Sequence, residues 1–328
     1  MDAIEVQGLS KVFRVREHAA GLGGAVRQLF APKVREVTAV EGVSFRIRPG
    51  ERVAFVGPNG AGKSTTLKIL TGILHPSAGE ARVLGQVPWL GRRKLSYRIG
   101  TVFGQRSQLW YHLPARDTFE LLAKVYEQDP TEHRRRLDDL TALFEIGDFL
   151  SRPVRQLSLG QRMRCELVAS LLHRPEVLFL DEPTIGLDVT AKEVIRDLVR
   201  QRSEQEGTTV LLTSHDTGDM ERVCDRVIVI HQGRLLLDRS IQELRGYIRR
   251  KVVTLVTAEP SVSLSLPGVT RLQETPHRSV WEVDTRLTPV EAVVQAGMAV
   301  SRLRDLTVED PSMEEIVRTI YAEAGGDP

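Results

Sequence analysis

Gly57-Pro58-Asn59-Gly60-Ala61-Gly62-Lys63-Ser64-Thr65 fits G-x-x-x-x-G-K-[ST], the Walker A pattern of a phosphate-binding loop. Arg52 to Val56, just before it, is a short apolar run suited to a buried strand, and Thr66 to Leu70 reads as the start of a helix. Strand, glycine-rich loop and helix N-terminus make an anion site from backbone alone. The loop N–H groups converge, and the helix dipole favours negative charge. Gly57, Gly60 and Gly62 permit backbone angles and close approaches that a Cβ would block. In this pattern Lys63 reaches the β- and γ-phosphates and Ser64 ligates Mg²⁺. Asn59 lies in the same cradle, and Thr65 is assigned to the α-phosphate.

The chain has 328 residues, 41% hydrophobic and 27% charged, with a net charge of +2. This composition fits a globular protein of one large domain or two. The near-neutral charge gives no global field for nucleic acid. No apolar stretch approaches the ~20 residues that span a bilayer. Met1-Asp2-Ala3-Ile4-Glu5 lacks the basic and apolar regions of a signal peptide, so a cytosolic location is expected. Cys165 and Cys224 have no metal-ligand spacing and are expected to be small core residues in a reducing compartment.

Residues 4–15 alternate as a strand, and 16–36, with Gly21, Gly23, Gly24 and Pro32, read as a long connection. Val43 to Ile47 and residues 80–84 are further strands. Residues 114–174 are mostly helical in pattern. His133-Arg134-Arg135-Arg136 reads there as a solvated helix face. Val177 to Leu180 and Thr208 to Thr213 have the unbroken apolar character of parallel-sheet strands. Arg226 to Ile230 and Leu235 to Leu237, joined through Gln232-Gly233, read as a hairpin. The composition shifts near Arg245. Beyond it come alternating strands at Val252 to Thr257 and Val280 to Val283, and helices at Pro289–Ala296 and Pro311–Ala322. The reading is an α/β domain over 1–245, with a helical part at about 106–174, and a small α+β unit over 246–328.

Val177-Leu178-Phe179-Leu180-Asp181-Glu182-Pro183 is a Walker B strand ending in two carboxylates. Asp181 is placed to hold the Mg²⁺ shell. Glu182, one residue on, is expected to point elsewhere because strand side chains alternate, and to act on the attacking water. Leu157-Ser158-Leu159-Gly160-Gln161 precedes a helix, so Ser158 and the free N–H groups there form a second anion site.

Leu-Ser-Leu-Gly-Gln resembles the Leu-Ser-Gly-Gly-Gln signature of ATP-binding-cassette (ABC) proteins, at its usual place upstream of Walker B. The resemblance covers about residues 4–240. It implies a RecA-like core with a parallel sheet, an antiparallel β-subdomain and a helical subdomain. It also matches Phe13 to the adenine-stacking A-loop aromatic. Gln105 matches the Q-loop glutamine near Mg²⁺ and the γ-phosphate, with Gln108 as second candidate. Asp188 in Ile185-Gly186-Leu187-Asp188 matches the D-loop, and His215 the switch histidine. The one departure is Leu159, where the family usually has glycine.

The resemblance further implies a head-to-tail dimer. ATP on the Walker A of one subunit is capped by Ser158, Gly160 and Gln161 of the other. One cassette without a membrane span implies separate polytopic permease subunits and a peripheral position at the cytoplasmic membrane face. Leu109, Trp110 and Leu113, next to the Q-loop, are candidate permease contacts. The insertion at Gly21 to Arg35, and the tail around Pro311-Ser312-Met313-Glu314, resemble daunorubicin-type and viologen-type exporters. An importer cassette, a polysaccharide or lipid exporter, and a soluble ABC protein of ribosomes or DNA are the alternatives. Arg249-Arg250-Lys251 is a short basic cluster, better read as a strand edge than as a nucleic-acid site.

Overall fold

The computed structural model describes residues 1–16, 34–104, 107–214, 216–247, 249–259 and 263–323. Gly21 to Pro32 of the long connection, Gln105 and His215 lie outside the described residues. The chain forms two compact units, Met1–Arg239 and Ser240–Pro328.

The first unit holds two sheets. In chain order its strands are β1 (Ile4–Arg16), β2 (Val34–Ile47), β3 (Arg52–Val56), β4 (Ala78–Val83), β5 (Ile99–Phe103), β6 (Val177–Asp181), β7 (Thr209–Ser214), β8 (Arg226–His231) and β9 (Arg234–Ser240). An antiparallel sheet runs β2-β1-β4, and a second sheet runs β5-β6-β7-β3-β8-β9. β5 pairs with β6, β6 with β7, and β3 with both β7 and β8, all in parallel. The pattern of β3, β6 and β7 follows from this topology. Central parallel strands are covered on both faces and so are apolar throughout. β8 and β9 are joined by Gln232-Gly233, both at positive φ (48° and 80°), the requirement of a tight type I′ hairpin turn.

β2 starts at Val34, so residues 34–36, read above as connection, are strand: Glu36 pairs with Arg14 and Arg35 with Val15. Helix α1 (Lys63–Leu70) follows the phosphate loop and buries Leu67, Ile69 and Leu70. These join Phe45 of the antiparallel sheet and Phe55, Phe179 and Leu211 of the parallel sheet in one core. The loop is thereby fixed from beneath by packed apolar side chains. β5 and the short helix α2 (Arg92–Ser96) went unread in the sequence.

The helical part comprises α3 (Ala115–Val125), α4 (Pro130–Leu143) and α5 (Leu159–Leu171). α4 starts where Asp129 accepts from the N–H groups of Thr131 and Glu132, with proline in the first helical turn. Its basic run is not a uniformly solvated face. His133 and Arg136 are buried with Leu137 and Leu140, the i, i+3, i+4, i+7 stripe of a packed helix. Arg136 donates to Glu206 and, through Nη2, to the Leu171 carbonyl at 2.9 Å. Charge alone suggested solvent; periodicity placed those two residues inward. Cys165 and Cys224 are both buried, and burial pushes the Cys165 thiol up to about 12.

The first unit is completed by α6 (Val189–Glu206) and α7 (Thr217–Val223). The second begins with α8 (Ile241–Tyr247). It holds strands β10 (Arg250–Thr257), β11 (Val269–Thr275), β12 (Arg278–Asp284) and β13 (Leu303–Glu309), ordered β11-β12-β10-β13. Helix α9 (Val290–Val300) covers a core of Val253, Leu255, Trp281, Val283 and Val293. Helix α10 (Met313–Glu323) ends the described chain. The exposed edge strands β11 and β13 lacked the apolar signal that revealed β10 and β12. Among the described residues no helix is long and apolar enough to cross a membrane.

Candidate nucleotide site

The phosphate loop leaves β3 at Val56 and enters α1 at Lys63. Gly57 allows the loop to lie on β8: a Cβ there would stand 2.4 Å from the Ile230 carbonyl oxygen. Gly62 is at φ 106°, and a Cβ on it would stand 2.3 Å from the Ala39 carbonyl oxygen of β2. Both glycines are therefore required by backbone packing. Gly62 is also the N-cap of α1, without any side-chain cap. The first-turn N–H groups of α1 have no intrahelical acceptor and remain for an anion. Gly62→Ala is expected to abolish nucleotide binding and to lower stability by more than about 2 kcal/mol, since strain and backbone overlap act together. Differential scanning fluorimetry with and without ATP measures both effects.

Lys63 is 5% exposed. Its Nζ donates to the carbonyls of Gly57 (2.6 Å) and Pro58 (3.2 Å) and lies 3.7 Å from Oε1 of Glu182. Burial lowers its pKa from the ordinary lysine value, against the charges of Glu182 and Asp181. Ser64 Oγ donates to Oδ1 of Asp181 at 2.9 Å, and Thr213 Oγ1 donates to the same oxygen at 2.7 Å. Asp181 faces Thr213 in the β6–β7 register, so the parallel sheet itself sets that contact. Thr213 was missed as a site residue; the signal was a hydroxyl at the end of an apolar strand beside the Walker B strand.

The expectation for Glu182 needs correction. It lies past the end of β6 at φ 52°, where strand alternation no longer applies. Its backbone N–H donates to Thr213 O and Oγ1, both at 3.1 Å. The left-handed turn, not strand alternation, sets the direction of its carboxylate, which lies 3.7 Å from Lys63 Nζ. Lys63, Ser64, Asp181, Glu182 and Thr213 thus converge at one helix start.

The signature residues form a separate group. Ser158 Oγ accepts from the Gln161 N–H at 3.2 Å, and Gln161 Oε1 accepts from the Ser158 N–H at 3.0 Å, a complete capping box on α5. A Cβ on Gly160 would meet Ala191 Cβ at 3.3 Å. Leu159 Cδ2 lies 3.1 Å from the place of a Cβ on Gly186, so the departing leucine rests on the D-loop of its own chain. Asp188 caps α6, accepting from the Ala191 N–H at 2.9 Å.

Phe13 sits on β1 opposite Val37, with Lys11 Nζ 5.2 Å from its ring centre. Gln108 faces α5: its Nε2 donates to the Glu166 carbonyl at 3.1 Å. The buried Glu166 carboxylate accepts from Ser107 Oγ and, at 3.2 Å, from the Gln108 N–H. Burial raises its pKa, and the bond from Ser107 opposes the shift.

The family model described as ABC transporter matches residues 40–185, from β2 through Walker B. The ABC transporter ATP-binding protein NatA of Bacillus subtilis is 33% identical over 215 residues, 66% of this chain and 87% of NatA. The daunorubicin resistance ATP-binding protein DrrA3 of Streptomyces coeruleorubidus is 32% identical over 289 residues, 85% of this chain and 89% of DrrA3.

The chain belongs to the ABC transporter ATP-binding family.

The ABC cassette MJ0796, solved as a dimer in a post-hydrolysis state with ADP and Pi, superposes at TM-score 0.62 and 26% identity. It covers 73% of this chain and 98% of its own. The fold is the α/β P-loop cassette of ABC proteins, and the chain is an ATP-binding ATPase of that family.

Proposed function

We propose that this chain is the ATP-hydrolysing subunit of an ABC exporter and drives separate membrane permease subunits. The observation that carries the ATPase chemistry is the meeting of Lys63, Ser64, Asp181 and Glu182 at the uncapped start of α1. Ser64 and Asp181 offer hard oxygen donors 2.9 Å apart, a set that suits Mg²⁺, which takes one or two protein oxygens and fills its shell with phosphates and waters. Gln105 is the further ligand implied by the resemblance. Bound there, Mg²⁺ would neutralise charge on the β- and γ-phosphates.

Lys63, released from the loop carbonyls, binds the γ-phosphate, and the α1 N–H groups take the remaining oxygens. Glu182 orients the attacking water and accepts its proton. Phe13 stacks on adenine, Asp188 marks the D-loop, and His215 holds the γ-phosphate. Leu159 and Gly160 of the signature lie against Gly186 and Ala191, and Ser158 pairs with Gln161, while Lys63 is held by its own loop carbonyls. This supports closure by a second copy, head to tail.

Leu109 is 4% exposed and belongs to the core, whereas Trp110, Tyr111 and Leu113 are 46%, 55% and 41% exposed. They are exposed a few residues past position 105 in the sequence and suit a permease contact. Export is supported by similarity to DrrA3 over 289 residues, more than the first unit contains, so the likeness runs into the second. In the basic cluster, Arg250 pairs with Glu282 and Lys251 with Asp310, which disfavours nucleic acid as partner.

The test is affinity purification of the full chain from detergent-solubilised membranes. A polytopic membrane protein is expected to co-purify, and Trp110→Asp is expected to lose it while keeping ATPase activity. Recovery of ribosomes or salt-sensitive RNA instead would replace the transporter reading.

A further inference from the structure

Asp219 lies at the third position of α7 and is fully buried. Its Oδ2 accepts from Thr184 Oγ1 at 2.7 Å and from Ser214 Oγ at 2.6 Å. Its Oδ1 accepts from Arg196 Nε at 2.7 Å. These donors come from three different segments. Thr184 stands two residues past Glu182, Ser214 ends β7 immediately before position 215, and Arg196 belongs to α6. The same guanidinium reaches on: Arg196 Nη2 lies 3.0 Å from Oδ1 of Asp216, whose Oδ2 accepts from Lys192 at 2.6 Å. Asp216 also caps α7 through the Gly218 N–H at 2.9 Å.

Gly218 supplies an independent observation. A Cβ there would stand 2.8 Å from Nη1 of Arg196 and 2.9 Å from its Cζ and Nη2. The guanidinium therefore lies flat against a residue without a side chain. The adjoining cavity, lined by Leu180, Thr184, Arg196 and Asp219 among others, is about 10 Å³. That is the lower limit for a single water, so the space leaves little room for solvent to replace a lost donor.

We propose that Asp219 is a positioning residue for hydrolysis. It clamps the segment after Glu182 to the two residues that flank position 215, with Arg196 as the second jaw. A buried carboxylate is costly unless paired and hydrogen-bonded, and here Oδ2 accepts from two hydroxyls and Oδ1 from the Arg196 guanidinium. A network of that kind has one low-energy arrangement. The Walker B turn and the switch segment then move as one piece, and the geometry of Glu182 depends on a residue that never meets nucleotide. The proposal rests on the assignment of Glu182 as the group that acts on water.

The experiment measures kcat and KM for Mg-ATP, and the ATP-induced thermal shift, for full-length wild type, Asp219→Asn, Gly218→Ala and Glu182→Gln. Asparagine keeps the shape but removes the charge and sets an amide donor either against the two hydroxyls or against the Arg196 guanidinium. Alanine at 218 keeps every charge and pushes Arg196 off its seat. Both are expected to lower kcat about ten- to hundred-fold, as misplacement of a catalytic group does. KM is expected to stay within about threefold and the ATP-induced shift to persist, because the phosphate cradle is untouched. A lowered melting temperature with wild-type kcat per folded molecule in either variant would overturn the proposal. Where Asp219→Asn does not fold, Gly218→Ala decides alone. Glu182→Gln separates the two readings: full turnover there removes the base assignment, whereas a dead Glu182→Gln beside an active Gly218→Ala removes only the clamp.

Discussion

Glu182→Gln is expected to bind ATP normally, to lose about 10²- to 10⁴-fold in steady-state turnover, and to accumulate as an ATP-bound dimer. The binding half follows from the geometry. The phosphate cradle consists of loop backbone, the α1 N-terminus, Lys63 and Ser64; only Lys63 meets the carboxylate at 182, at 3.7 Å, and it keeps its bonds to the Gly57 and Pro58 carbonyls without it. Glutamine is isosteric, and the backbone N–H at 182 still donates to Thr213, so the left-handed turn survives. The catalytic half follows from proton chemistry. Glutamine orients a water but cannot take its proton, so the step that consumes ATP stalls while the state that precedes it fills. Size-exclusion chromatography with ATP and Mg²⁺ is expected to show a dimer for Glu182→Gln and mainly monomer for wild type after turnover. A monomeric Glu182→Gln with ATP bound would remove the shared-nucleotide arrangement.

The phosphate loop was legible because all its determinants are contiguous: the glycines, Lys63 and Ser64 act through local backbone. Three of the parallel strands, β3, β6 and β7, were legible for a similar reason, since burial on both faces leaves an unbroken apolar run, whereas β5 went unread. Four features were not legible. The direction of the Glu182 side chain depends on one backbone angle at the strand end, where the alternation rule stops. Thr213, Glu166 and Asp219 gain their meaning from partners 32, 59 and 35 residues away, visible only once the sheet and α5 are assembled. His133 and Arg136 were misread because a run of like charge hides helical periodicity, and their burial rests on partners as distant as Glu206. The edge strands β11 and β13 carry mixed, exposed sequences, and pairing alone identifies them.

Lys63→Met is expected to weaken ATP binding about ten- to hundred-fold while leaving the nucleotide-free protein about as stable as wild type. Two opposed terms meet at this side chain. Burial penalises its charge, and methionine of similar length relieves that penalty. Against this, the Gly57 and Pro58 carbonyls lose their donor, at about 1 kcal/mol each. The two largely offset, so the apo melting temperature is expected to move by only a few degrees. The pH dependence gives the sign of the burial term. The folded-state pKa of Lys63 is depressed, so between it and the ordinary lysine value the unfolded chain binds more protons, and wild-type stability rises with pH across that alkaline window. Lys63→Met is expected to lack this rise. Its effect on ligand is much larger. Losing a charged donor to phosphate costs roughly 1.5–3 kcal/mol, about ten- to hundred-fold in Kd. At an ATP concentration that stabilises wild type by ~2.7 kcal/mol, a hundred-fold weaker variant gains under ~0.5 kcal/mol. Thermal melts with and without ATP, repeated at neutral and alkaline pH, read both quantities. A full ATP shift in Lys63→Met would mean that the α1 N-terminus binds the phosphates without the lysine.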